Sequence, residues 1–368
     1  MRLLSRISIA CGMTGALIAA ALGSAAADPP AGVTPAHTDI VGVGSDTTQV
    51  LLDNLSVDYN ATSPARKLYS FDAVGSSPII PKTGCSAISR PDGANAGIAA
   101  LATNTRPSGD TADYCIDFAG SARNPLGASM AFVAFAQDAV TWSATSTAAK
   151  PTHAPSGLSI VQLRAIYHCD ASILGTGHTG PVTWNEVGGT GTNAVVPVLP
   201  QPNSDTRTFF LNALGVAGGG CVSSATVEAN EGTDPVFSGT NSQDLVFPYS
   251  VGVYLAQSQD GFSPGTQGNQ TLQSVLRPGS PPVAVVPTAG TAPHKVINPV
   301  LATVGLLRTL YNVVRNTGTS THVPSYLQPL LGTASDTGYL CTNPTAQADI
   351  TNYGFRTLGA ACGTTTIG

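Results

Sequence analysis

The sequence predicts an α/β chain of more than one folded unit, and three observations carry that prediction. A strand-like run, a small polar loop and an amphipathic helix follow one another near residue 40, and the same unit recurs near residue 195. Strands and helices alternate along the chain without a repeat of solenoid type, the pattern of an α/β architecture. Hydrophobic residues make up 42% of the 368 and charged residues 10%, which suits a sizeable core and excludes the low-hydrophobicity, high-charge composition of disordered chains. At roughly 100–200 residues per domain, the length suits two lobes.

The first 27 residues read as an export signal. Arg2 and Arg6 give a positive start, Ile7 to Leu22 is apolar, and Ala25-Ala26-Ala27 offers a small-residue cleavage site before Asp28. The apolar run is shorter and weaker than the ~20 residues of a membrane span. Cys11 stands near the start of that stretch, ahead of most of it, so no lipid anchor is expected there. The mature chain is expected to be secreted or extracytoplasmic. Loss of Arg2 and Arg6 takes the net charge from −5 to −7. An acidic chain with no basic stripe is not suited to nucleic acid.

Removal of the signal leaves Cys85, Cys115, Cys169, Cys221, Cys341 and Cys362. An even count in an exported chain implies disulfides. Sequence order favours neighbours: Cys85 with Cys115, Cys169 with Cys221, Cys341 with Cys362. No CxxC pair occurs, and His168-Cys169 is the one adjacent His–Cys pair, so no metal site is expected. No cofactor is implied.

Residues 28–38, rich in Pro and Ala, read as a flexible lead-in. Asp39 to Gly44 reads as a short strand ending in glycine, and Ser45-Asp46-Thr47-Thr48 as a loop. Val50, Leu51, Leu52, Leu55 and Val57 then fit one side of a helix. Ser159-Ile160-Val161-Gln162 resembles a capping box. Val195 to Leu199 is strand-like, Gln201 to Thr206 a polar loop, and Phe209, Phe210, Leu211 and Leu214 line a helix. Residues 260–295 read as an irregular crossing, Val300 to Val314 as helix or buried strand, and Asn343-Pro344 as a helix start. Trp142 and Trp184 read as packing residues. Tyr249 suits packing and cleft closure equally.

The two strand–loop–helix units have a physical use. A helix N-terminus leaves backbone N–H groups unpaired and carries partial positive charge. Hydroxyls in the loop add donors, and together they make an anion site. The same Ser, Thr and Asp residues also suit plain N-capping.

Four stretches resemble the substrate-binding proteins of phosphate ABC transporters: Val43-Gly44-Ser45-Asp46-Thr47-Thr48; Phe118-Ala119-Gly120-Ser121-Ala122-Arg123-Asn124-Pro125-Leu126; Leu158-Ser159 through Tyr167 with Val182-Thr183-Trp184-Asn185; and Asn203-Ser204-Asp205-Thr206-Arg207-Thr208-Phe209-Phe210. Tyr249-Ser250-Val251-Gly252 is similar to a turn near that family's cleft. The resemblance implies a two-lobed periplasmic-binding-protein fold of type 2, each lobe a mixed sheet flanked by helices, with a ligand cleft between them. It places lobe 1 at 39–142 plus 296–368 and lobe 2 at 143–295. It implies a monomeric solute-binding protein, not an enzyme, that captures a small oxyanion, inorganic phosphate first, for ABC transporter membrane subunits.

Carried over residue by residue, the resemblance makes Ser45, Asp46, Thr47, Thr48, Ser76, Ser77, Arg123, Ser204, Asp205, Thr206 and Arg207 the ligand set. Two positions depart from the family's pattern. Arg123 stands where the family has an aspartate that accepts a proton from hydrogen phosphate, and Asp205 stands where the fourth loop has glycine. Two readings stay open: Asp205 or Asp46 supplies the acceptor while Arg123 supplies charge, or Arg123 is a surface or hinge arginine and Asp205 a plain cap. The rival functions are a secreted hydrolase and a secreted adhesion or cell-wall binding module. The chain lacks H-E-x-x-H and a Cys–His arrangement, and the histidines (His37, His153, His168, His178, His294, His322) sit mostly in Gly/Pro/Thr-rich context. The paired loop-then-helix units have no evident use in an adhesin.

Overall fold

The computed structural model describes residues 28–123, 129–258, 262–292 and 295–368. The expected export signal, Asn124-Pro125-Leu126 and His294 lie outside the described residues.

A single 16-residue strand, β4 (Met130–Thr145), runs through both halves of the molecule. Its sequence, MAFVAFAQDAVTWSAT, is apolar almost throughout, as a strand covered on both faces requires. The strands before it are β1 (Ile40–Gly44), β2 (Leu68–Ser70) and β3 (Phe118–Ser121). After it come β5 (Gly157–Ser159), β6 (Val196–Pro197), β7 (Leu245–Ser250), β8 (Gln270–Leu272), β9 (Ser274–Arg277), β10 (Val283–Val285), β11 (Thr288–Ala289), β12 (Val296–Ile297) and β13 (Leu307–Arg315). The main sheet has the order β2-β1-β3-β13-β4-β7-β6. β1 pairs parallel with β2 and β3, whereas β13 is antiparallel to β3 and β4.

Pairing along β4 marks the passage between lobes. Residues Met130 to Ala139 pair with β13, and Val140 to Ala144 pair with β7. The cores divide in the same way. In lobe 1, Ile40, Leu51, Leu55, Phe118, Phe135 and Leu330 pack on one sheet face, and Val41, Val43, Phe132 and Val313 on the other. In lobe 2, Trp142, Leu163, Trp184, Phe210 and Val246 pack together. The chain passes back where Leu306, in the second core, gives way to β13.

Three of the helices open on a side-chain cap. α1 (Gln49–Ala61) buries Leu51, Leu52 and Leu55, and α2 (Ala94–Ala102) lies against β1 and β3. α3 (Ile160–His168) opens on a complete capping box: Gln162 N–H donates to Ser159 Oγ at 3.2 Å, and Ser159 N–H donates to Gln162 Oε1 at 2.8 Å. α4 (Asp205–Leu214) is capped by Ser204. α5 (Val251–Ser258) follows β7 directly. After the short α6 (Gln328–Leu331) and α7 (Tyr339–Thr342), α8 (Pro344–Asn352) has Asn343 as its cap and proline at its first position.

Residues 260–295, expected to be irregular, instead carry strands β8 to β11. Each is only two to four residues long and is held by its partner, β8 by β4, β9 by β5, β10 by β9 and β11 by β12, so no run is long enough to show a period of its own. Within Val300 to Val314, residues Pro299–Val304 form a 3₁₀ turn and the remainder is β13. Trp142 and Trp184 are fully buried, with indole N–H groups donating to the Ser274 carbonyl and to Asp244 Oδ1, each at 2.9 Å. Tyr249 is buried too, its hydroxyl bonded to the Asn230 carbonyl and Gln257 Oε1. All three neighbour-paired disulfides are present: Cys85–Cys115, Cys169–Cys221 and Cys341–Cys362.

Candidate functional site

The two strand–loop–helix units face each other across the cleft. The loop after β1 brings Ser45, Asp46 and Thr47 to the lobe boundary, and all three are buried. The N-terminus of α4 brings its cap Ser204 with Asp205 and Thr206 from the other lobe, at 1% exposure or less. Between them stand two charges from the strands that join the lobes: Asp138 from β4 and Arg308 from β13.

The Asp205 carboxylate is the hub. Its Oδ2 accepts from Ser45 Oγ at 2.9 Å and from the Ala122 N–H at 2.7 Å. Its Oδ1 accepts from Thr47 Oγ1 at 3.3 Å and lies 3.5 Å from Arg308 Nη1. Three donors from lobe 1 and a guanidinium on the joining strand therefore converge on one anion from lobe 2. Thr47 Oγ1 also lies 3.3 Å from Thr206 Oγ1.

Arg308 is held on its other side by Asp138. Nε and Nη2 donate to Asp138 Oδ2 at 3.0 and 2.8 Å, and Nη2 also donates to Thr47 Oγ1 and Thr206 Oγ1 at 3.2 and 3.1 Å. Asp138 also accepts from Ser250 Oγ and the Gly252 N–H, so its lone pairs are met although it is fully buried. Burial first, then the nearby Asp205 charge, raises the Asp46 carboxyl to about 8, against the opposing pull of Arg308. Asp46 is therefore mostly protonated at pH 7.

The lobes are in contact around this cluster. Gln201 Nε2 of lobe 2 donates to Asp92 Oδ1 at 3.0 Å and reaches Asp46 Oδ2 at 3.4 Å. Gly93 has φ +86°, and a Cβ there would lie 2.5 Å from the Asn203 carbonyl oxygen, so only glycine permits the approach.

Of the expected ligand residues, the structure gathers Ser45, Asp46, Thr47, Asp205 and Thr206 into one cluster, with Ser204 capping α4 beside it. Thr48 is buried next to them, its Oγ1 without a hydrogen-bond partner. Arg123 stands at the rim, half-buried, with Nη1 donating to Asn95 Oδ1 at 2.9 Å and Asp205 as its facing charge. Arg207 turns away and donates to the Pro200 carbonyl at 2.9 Å. Ser76 and Ser77 lie in an exposed loop that engages Arg90, outside the cluster. Sequence reasoning missed Asp138 and Arg308. The available signal was a lone charge inside an apolar run, which is costly to bury unless paired.

The fold is the two-lobed fold of periplasmic binding proteins. Among solved structures, the chain shares its fold with an ABC-type phosphate transport receptor from Vibrio cholerae, at 15% identity over 86% of this chain and 99% of that one, with a TM-score of 0.50. It is similar also to a putative phosphate ABC transporter substrate-binding protein with bound phosphate from Clostridium perfringens, at 12% identity over 87% and 99%, with a TM-score of 0.51. No protein-family model matches the chain, and no curated protein matches it in sequence.

Proposed function

We propose that the chain is an extracytoplasmic solute-binding protein whose two lobes close on a small oxyanion, hydrogen phosphate first, for uptake by an ABC-type membrane partner. The observation that carries this reading is the set of donors converging on Asp205: Ser45 Oγ, Thr47 Oγ1, the Ala122 N–H and Arg308. A carboxylate is itself an oxyanion, so a cradle that holds one offers what phosphate requires: neutral N–H and O–H donors plus one fixed guanidinium. The Asp46 carboxyl beside the cradle has a carbonyl oxygen that can accept from a ligand still carrying a proton, a bond that fully ionised sulfate cannot donate.

The lobes would move about the segments where β4 and β13 pass from one core to the other, a hinge closure in which solute shifts the open–closed population. Three disulfides support an oxidising compartment outside the cytoplasm. The cluster contains no histidine or cysteine, and its Ser45 and Thr47 hydroxyls donate to a carboxylate that is itself tied to Arg308 and the Ala122 N–H, which suits binding groups better than activated nucleophiles. The fold of the similar structures supports binding over catalysis.

The test is thermal unfolding of residues 28–368 with phosphate, sulfate, molybdate and phosphonates. A ligand at 100 times its Kd stabilises by about 2.7 kcal/mol. A shift with phosphate and none with sulfate is expected. If neither the wild type nor variants at Asp205 respond to any oxyanion, the reading fails.

A further inference from the structure

We propose that Asp205 is the resident ligand of the cleft: its carboxylate occupies the oxyanion cradle, latches the lobes shut without solute, and must leave before phosphate can enter. The inference rests on the oxyanion reading given above and adds the state of the site before solute arrives.

Three observations carry it. The first is where the groups come from. The donors Ser45, Thr47 and Ala122 belong to lobe 1, and the carboxylate belongs to the first residue of α4 in lobe 2. Every bond in the set therefore crosses the cleft, and together they tie the lobes at a position 1% exposed.

The second is saturation. The Ser45 hydroxyl and the Ala122 N–H have one proton each, and both are given to Asp205 Oδ2 at 2.9 and 2.7 Å. Neither has another to offer a solute. A phosphate oxygen can take these donors only by replacing the carboxylate oxygen that now holds them.

The third is charge. Arg308 and Arg123 are the cations that face Asp205, and Asp138 is bound to Arg308. With Asp46 protonated, two guanidinium groups meet two carboxylates, and half-buried Asp92 adds a further negative charge beside Asp46, so the closed cluster has no positive charge to spare. A phosphate added to it would bring one or two uncompensated negative charges into a buried site. A phosphate that takes the place of Asp205 keeps the balance close to what it was.

The latch makes solute and lobe closure compete for one set of donors. Apparent affinity is the intrinsic affinity reduced by the fraction of molecules whose cradle is free, so a latch closed in 99 of 100 molecules weakens binding ~100-fold. Deleting the carboxylate should then open the apo protein and tighten its hold on phosphate.

The experiment uses residues 28–368 in phosphate-free buffer as wild type, Asp205→Gly and the near-isosteric Asp205→Asn, with circular dichroism confirming that each is folded. Small-angle scattering without solute reads the latch, and calorimetric titration with inorganic phosphate reads the competition. The expected result is a compact apo wild type, expanded apo variants that contract on adding phosphate, and phosphate binding at least about tenfold tighter in Asp205→Gly. Apo variants as compact as the wild type overturn the latch. So does wild-type phosphate binding that Asp205→Gly loses, since Asp205 would then be an acceptor for the solute's own proton. Variants that open yet bind no oxyanion keep the latch and overturn the oxyanion reading instead.

Discussion

Arg308 is the cation on which two buried carboxylates depend. Replacing it with methionine keeps much of the side chain's bulk but leaves Asp138, fully buried, and Asp205 without their shared guanidinium. Breaking a buried pair from one side costs about 3–5 kcal/mol. Arg308→Met is expected to lose that much in urea unfolding, and Arg308→Met with Asp138→Leu to regain part of it. A double mutant no more stable than the single one would mean that Asp138 is held by Ser250 and Gly252 alone. Asp46 makes a separate prediction, through pH. Its carboxyl titrates near 3.8 when unfolded and about 8 when folded, with Asp205, Asp92 and Arg308 as the charges around it. The folded state therefore binds the extra proton between those values, and stability falls as pH rises from about 4 to 8. Asp53, raised to about 10 by burial and then by the charge of Asp72, and Asp72, raised to about 7 by burial and then by the charge of Asp28, act in the same direction. The comparison that isolates Asp46 is the slope of melting temperature against pH in Asp46→Asn, expected to be shallower than in the wild type. Sequence made the loop residues legible because Ser, Asp and Thr ahead of an apolar helix face carry a local signal. Arg308 and Asp138 carry only that of a lone charge in an apolar run, which does not name a partner: they stand 170 residues apart, and they meet only when β13 pairs with β4.

At the scale of elements, caps were the most readable feature. The capping box of α3 was visible as Ser159 and Gln162 three residues apart, and both reciprocal bonds form. Ser159→Ala is expected to cost about 1 kcal/mol in denaturant unfolding and to leave phosphate affinity unchanged, because α3 supplies no donor to the cleft cluster. A change in affinity would show that α3 steers the α4 loop through their shared packing. Asn343 and Pro344 opened α8 for the same local reason. Strands β8 to β11 were illegible because strand stability resides in the partner. Gln270 is buried only because its amide oxygen accepts from Ser143 and its amide N–H donates to Thr145, both on β4. A polar residue in a Thr-rich run reads as loop until that partner is known. The division of labour in β4 was hidden likewise: its composition announces burial, but nothing local marks residue 139 as the last to pair with one lobe and 140 as the first to pair with the other.

Across the whole molecule, covalent and noncovalent ties are separated. Cys85–Cys115 and Cys341–Cys362 join segments on the lobe 1 side, and Cys169–Cys221 joins the end of α3 to the loop after α4 in lobe 2. None of the three bridges the cleft. Among the described residues, the noncovalent contacts between the lobes include the Asp205 cluster, Gln201 with Asp46 and Asp92, Asn95 with the Asn203 carbonyl, and α5, whose Val253 and Ala256 pack into the lobe 1 core. This arrangement stiffens each lobe while leaving the joining strands free to bend, as hinge closure needs. Removing Cys169–Cys221 by Cys169→Ser with Cys221→Ser is therefore expected to cost about 2–5 kcal/mol of stability without altering the open–closed balance. The check is to make that pair in both the wild type and Asp205→Gly. Calorimetry should show a lowered unfolding transition in each background, while small-angle scattering shows the same compact wild-type and expanded Asp205→Gly apo forms as before. If losing the bridge by itself opens the apo protein, then α4 is held against lobe 1 by the rigidity of lobe 2, and the bonds to Asp205 only report a closure that the rest of the lobe enforces.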